Sequence, residues 1–260
     1  MFTHNIDPIL FSYGPFEVRY YGLFYVIAFV IGYFLINKLA KERNIPLTKD
    51  DVSSFLFYEI IAMLIGARIF YVLFYNLSYY LNKPVEILYI WNGGLSFHGG
   101  LVGFIICGYF FAKKKGISFG QLADIVVIPA AIGLGLGRIG NFTNGELYGR
   151  ITDVSWAVQF NGVDGLRHPS QLYEAAKNFF IFGILWQLKN KKHRNGYLFW
   201  VFIALYGILR FFIEFVRQPD PQLGFVIWQL TMGQLLVIPM GIIGLLMVYR
   251  LRRKELLMRD

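Results

Sequence analysis

The chain has 260 residues, of which 56% are hydrophobic, 18% aromatic and only 16% charged. A water-soluble domain carries about a quarter of its residues as charge, so this balance excludes an ordinary globule and points to an all-α polytopic membrane protein. The net charge of +9 would suggest nucleic acid in a soluble chain, whereas the single cysteine, Cys107, excludes a disulfide framework and a thiolate metal cluster.

Seven apolar runs of membrane-spanning character follow in order: Tyr21 to Leu39, Phe55 to Leu77, Leu95 to Ala112, Leu122 to Gly137, Leu172 to Leu188, Tyr197 to Phe215, and Met232 to Tyr249. The stretch before Tyr21 lacks a basic leader and carries Asp7 and Glu17, and no small-residue cleavage site follows the first run. That run therefore reads as a retained span and not a signal peptide. The second run contains Glu59 and Arg68, and the fourth is short and ends glycine-rich, both signs of helices that line something polar. Asn141 to Ser170 forms a longer outside segment, where Trp156 to Phe160 predicts a short strand and Asn161-Gly162 and Asp164-Gly165 predict turns. There is no internal repeat, Walker loop, zincin motif or nucleophile elbow.

The basic residues set the orientation. Sixteen fall in one set of loops, around Lys38 to Lys49, Lys113 to Lys115, Lys189 to Arg194 and Arg250 to Arg259. Six fall in the other: Arg19, Lys83, Arg138, Arg150, Arg167 and Arg217. The positive-inside rule then predicts an outside N-terminus and a cytoplasmic C-terminus, and it accounts for the surplus charge without nucleic acid as a partner.

Placed by depth, the unusual polar residues converge at the outer side. Tyr21 opens the first span, His98 lies at the outer end of the third and Arg138 closes the fourth. Arg210, Glu214 and Arg217, spaced four and three apart, are expected on one helical face at the end of the sixth. Taken singly, each has a plainer role: Arg138 as a snorkelling anchor, Glu214 and Arg217 as a surface pair, His98 as a donor to a loop carbonyl, and Glu59 and Arg68 as structural partners of neighbouring spans. Together they suggest an anion site, because guanidinium binds phosphate bidentately and stays charged when partly desolvated. A transporter would spread such residues through the membrane depth, and a scaffold has no use for them.

The densest polar stretch is Gly137 to Arg150, G-R-I-G-N-F-T-N-G-E-L-Y-G-R. With Tyr20-Tyr21-Gly22, Gly66-Ala67-Arg68, Gly93 to Leu101, His168 to Glu174 and Arg210 to Asp220, it resembles the signature of the prolipoprotein diacylglyceryl transferases. The resemblance implies a single seven-span domain acting at the outer leaflet of the bacterial cytoplasmic membrane. It implies transfer of the diacylglyceryl group of phosphatidylglycerol to the lipobox cysteine of a prolipoprotein, without metal or soluble cofactor. Arg138 and Arg210 are then the phosphate clamp, and His98 is the candidate base, unless the arginines' own field ionises the thiol. Asn141 and Asn144 are expected to hold the headgroup, Glu146 and Glu214 to orient the arginines, and Tyr21 to line the mouth. Gly149 and Arg217 complete the expected substrate-binding set.

Overall fold

The computed structural model describes residues 2–14, 16–219 and 224–256. Among them are eight α-helices: α1 (Tyr20–Glu42), α2 (Lys49–Tyr75), α3 (Leu77–Asn82), α4 (Phe97–Lys114), α5 (Phe119–Thr143), α6 (Ser170–Leu188), α7 (Tyr197–Ile213) and α8 (Met232–Leu256). Each of the seven expected apolar runs corresponds to one long helix, with α3 the addition, but Leu77, Leu95 and Phe215 at the ends of the second, third and sixth runs fall outside α2, α4 and α7. Of the residues named from sequence, Asp220 and Arg259 lie outside the described residues.

Four of these helices, α1, α2, α5 and α8, are long and apolar enough to cross a membrane, and α7 is a shorter apolar helix. In α1, α2 and α8 only 22% of the most apolar window is buried within the protein. Side chains such as Val26, Phe34, Phe74 and Leu246 are instead turned outward. Apolar faces of this extent are stable only against lipid, so the chain is a multi-pass membrane protein.

The chain forms two compact units, Met1–Gly32 with Asp124–Asp260, and Tyr33–Ala123. In the first, Ile125, Ile128 and Ala131 of α5, Ile181 and Leu185 of α6 and Leu198 of α7 are buried. Asp124 accepts from the Gly196 and Phe199 amides at 2.9 and 3.0 Å, so a buried carboxylate caps the start of α7. Three small two-stranded sheets belong to this unit. β1 (Phe2–His4) pairs in parallel with β4 (Val158–Phe160), β2 (Ile9–Tyr13) forms a hairpin with β3 (Phe16–Arg19), and β5 (Phe225–Ile227) pairs with β6 (Leu230–Thr231). The expected strand at Trp156 to Phe160 is therefore present but shortened, and its partner is the distant N-terminus.

In the second unit α2 opens with a reciprocal capping box between Thr48 and Asp51. Ala62 and Gly66 of α2 meet Gly99 and Gly103 of α4 backbone to backbone, the small-residue packing that lets helices approach where no hydrophobic effect drives them together. Arg68, 5% exposed, settles the alternatives left by sequence for that residue, because it organises the segment that links α2 to α4. Its guanidinium donates to the carbonyls of Glu86 (2.6 Å), Ile87 (2.8 Å), Gly93 (2.7 Å) and Gly94 (3.0 Å), and it lies over the Tyr80 ring.

Candidate functional site

The Gly137 to Arg150 motif begins on a helix, not after one. α5 runs on to Thr143, one and a half turns past the expected end of the apolar run, so Arg138 and Asn141 stand one turn apart on the same face. The helix is stopped by Gly145, whose left-handed φ of +68° closes a Schellman cap. The Glu146 amide donates to the Asn141 carbonyl at 3.1 Å and the Gly145 amide to Phe142 at 2.9 Å. His4 of β1 adds a further cap, its Nε2 lying 2.6 Å from the Phe142 carbonyl oxygen.

That cap aims the motif's side chains back at Arg138. Arg138 Nη1 donates to Asn141 Oδ1 at 3.3 Å, and Asn141 and Asn144 both donate to Glu146 Oε1, at 2.8 and 3.2 Å. Glu146 thus reaches Arg138 through Asn141 instead of touching it. Gln171 and Ser170 at the start of α6 donate to the Glu146 and Leu147 carbonyls at 2.6 and 3.0 Å, holding the loop onto that helix.

Arg210 approaches from α7. Its Nη1 lies 2.6 Å from both Glu174 Oε1 and Glu214 Oε2, contacts that lack the alignment of donated hydrogen bonds and act as charge pairing. Glu174 is the hub: Arg138 Nε stands 4.0 Å from its Oε2, and Lys177 Nζ donates to that same oxygen at 2.6 Å. Side-chain exposure falls from 24% at Arg138 to 11% at Arg210, 2% at Lys177 and 1% at Glu174. Glu214 is fixed from its other side by Thr231 of β6, whose hydroxyl donates at 2.9 Å.

Arg217 departs from the expected helical face. α7 ends at Ile213, and the chain turns so that Arg217 pairs as an isolated antiparallel bridge with Gly149. At that junction the Gly149 amide donates to His168 at 2.8 Å and the Arg150 amide to Val216 at 2.9 Å. A Cβ on Gly149 would stand 2.6 Å from the His168 Cβ and 2.8 Å from its carbonyl oxygen, so only glycine fits. Outside the membrane segments, burial pushes His168 below the usual histidine pKa, with Asp153 opposing in part.

Tyr21 is also in this unit. It packs against Gly140 of α5, and its hydroxyl lies 3.0 Å from that of Tyr25. His98 belongs to the other unit, where it is exposed in the first turn of α4, just after the Ser96 cap. The structure therefore brings together Arg138, Asn141, Asn144 and Glu146, and around Glu174 it adds Arg210 and Glu214. The sequence motif from His168 includes Glu174 but gives it no role, and Lys177 is in none of the motifs, although two ionisable residues three apart inside an apolar run are themselves a signal.

Comparison with known proteins identifies the family. The family described as prolipoprotein diacylglyceryl transferase matches residues 8–250. A phosphatidylglycerol–prolipoprotein diacylglyceryl transferase of Geobacter sulfurreducens is 48% identical over 253 residues, covering 96% of this chain and 97% of that protein. Proteins of the same name from Desulfotalea psychrophila and Vibrio cholerae are 45% and 46% identical, covering 96% and 94% of this chain and 95% and 91% of their own lengths. Matched over nearly its whole length, the chain belongs to the prolipoprotein diacylglyceryl transferase family.

Proposed function

We propose that this protein transfers the diacylglyceryl group of phosphatidylglycerol to the lipobox cysteine thiol of a prolipoprotein signal peptide. The relatives' names supply the reaction. The observation in this chain that carries it is the pairing of Arg138 and Arg210, from two helices, about one buried carboxylate. The cysteine sulfur bonds to the glycerol carbon of the diacylglyceryl group. The bond from that carbon to the phosphate oxygen breaks with its electrons on oxygen, and glycerol phosphate leaves.

The phosphate's charge grows as that bond breaks, so cations positioned for the leaving oxygen favour the transition state over the bound lipid. Arg138 and Arg210 take that role. Asn141, Asn144 and Glu146 hold the headgroup, Glu214 orients Arg210, and Gly149 with Arg217 and Tyr21 completes the substrate-binding set. The thiol must ionise, and a free cysteine with a pKa of about 8.5 is mostly protonated at neutral pH. Either His98 takes the proton as general base, or the field of Arg138 and Arg210 ionises the thiol itself.

In this proposal α1, α2 and α4 to α8 form seven spans of one membrane domain in the bacterial cytoplasmic membrane. The basic loops face the cytoplasm, and the site faces the outer leaflet, where a translocated signal peptide arrives. The test is purified protein with phosphatidylglycerol and a lipobox peptide beside its Cys→Ser form, reading glycerol phosphate release and peptide mass. Thiol-dependent release with a diacylglyceryl mass gain is expected. Release that is equal with the serine peptide refutes the transfer.

A further inference from the structure

We propose that Lys177 is a positioning residue that sets the charge of the phosphate site, an inference resting on the transferase reading above. Lys177 is sealed off from solvent. Its Nζ donates to Glu174 Oε2 at 2.6 Å and lies 3.7 Å from the centre of the Tyr206 ring, so carboxylate and aromatic face together hold the ammonium where no lipid phosphate reaches it. The same carboxylate carries Arg210 on its other oxygen and Arg138 nearby.

One carboxylate cannot satisfy three cations, and this mismatch is the device. Arg138, Arg210 and Lys177 face Glu174 and Glu214, a balance of one positive charge, and adding Glu146 and Arg217 at the periphery leaves it unchanged. A phosphodiester headgroup carries one negative charge, so its arrival neutralises the cluster. Without Lys177 the empty cluster is already neutral. Glu174 Oε2 then loses its short partner, and Arg138, whose Nε stands 4.0 Å away, is drawn onto the carboxylate and away from the lipid. Lys177 occupies the carboxylate so that the more exposed arginines remain available.

The test is steady-state kinetics of the purified full chain with phosphatidylglycerol in mixed micelles. Lys177→Met should raise the KM for phosphatidylglycerol by at least about tenfold, because Arg138 is drawn onto Glu174 and its charge-assisted contact with the phosphate is lost, with a smaller change in kcat. Lys177→Arg should retain most of the affinity. Glu174→Gln with Lys177→Met, which restores the balance of one positive charge, should bring KM back towards the parent value. An unchanged KM in Lys177→Met overturns the proposal. So does a double variant that melts like the parent but keeps the raised KM, since lysine would then matter for something other than charge. If the parent protein binds phosphatidylglycerol vesicles yet releases no glycerol phosphate, the transferase reading fails. The charge proposal is then judged by the same variants in vesicle binding, with loss in the single and recovery in the double expected and equal binding by all refuting it.

Discussion

Arg138 and Arg210 form one clamp in the proposed chemistry but are held very differently, and truncating each should separate function from stability. Arg210 Nη1 makes two contacts of 2.6 Å with carboxylates that are almost fully buried. Removing one partner of a buried pair leaves uncompensated charge and costs about 3–5 kcal/mol. Arg138 has a 3.3 Å hydrogen bond to Asn141 and a 4.0 Å approach to Glu174, with a quarter of its side chain exposed. Contacts that long and that wet are worth about 1 kcal/mol. For a chain of this size, roughly 2–4 °C of melting temperature accompanies each kcal/mol. Arg210→Ala should therefore melt at least about 6 °C below the parent, and Arg138→Ala only about 2–4 °C below it. Both should lose at least about 100-fold in kcat/KM, the typical cost of removing a donor aimed at a developing oxyanion. The assay is thermal unfolding in detergent beside glycerol phosphate release at a temperature where both variants are folded. Arg138→Ala retaining full activity, or melting lower than Arg210→Ala, would refute the reasoning.

Other outcomes follow from particular contacts. Arg68→Lys should leave α2 and α4 intact but release the segment between them, since an ammonium cannot reach the four carbonyls that the guanidinium fork spans; faster protease cutting between residues 77 and 94 is the measure. Gly149→Ala should destabilise by about 1–3 kcal/mol through overpacking against His168, read as a lower melting temperature, whereas Gly162→Ala meets open space and tests the left-handed backbone alone. His98→Gln should lose more activity at pH 6.5 than at pH 9, where the thiol ionises unaided, and a pH-independent residual loss would make His98 structural. His168 should make the fold acid-sensitive. Its folded pKa lies below the unfolded value, so the unfolded chain takes up the proton first, and stability falls as pH drops below about 6.5. Melting at pH 7.5 and 5.5, with His168→Asn for comparison, should show a smaller acid loss in the variant.

The helices were legible because length and hydropathy need only lipid as context, and every expected run lies inside one long helix to within two residues at its ends. Their ends were less so. The glycines of Ile132 to Gly137 read as the end of a span, yet glycine inside a helix removes no hydrogen bond, and the stop comes only where Gly145 takes a left-handed φ. At the end of α7 the spacing of Arg210, Glu214 and Arg217 suggested a continued helix, while the chain turns after Ile213 and Arg217 bridges to Gly149 instead. The arginines and asparagines of the site could be named in advance because such groups are costly in an apolar chain. The hub was harder: Glu174 gains its meaning from Arg210 and Arg138, partners 36 residues away in each direction, and no local pattern announces that distance.

The pairing of β1 with β4 bears on how the protein is made. Phe2 to His4 leave the ribosome well before their partners Val158 to Phe160, which are synthesised more than 150 residues afterwards. At about 5–20 residues per second, the N-terminal strand waits roughly ten to thirty seconds for the sheet that receives it. His4 caps the end of α5 and also packs edge-on against Phe142 and tilted against Phe160, so the polar cluster beside that helix end cannot be fully assembled in any shorter nascent chain. The strand β1 acts as a latch on a late step of assembly, and an immature chain lodged in the bilayer carries its arginines before it carries the geometry to use them.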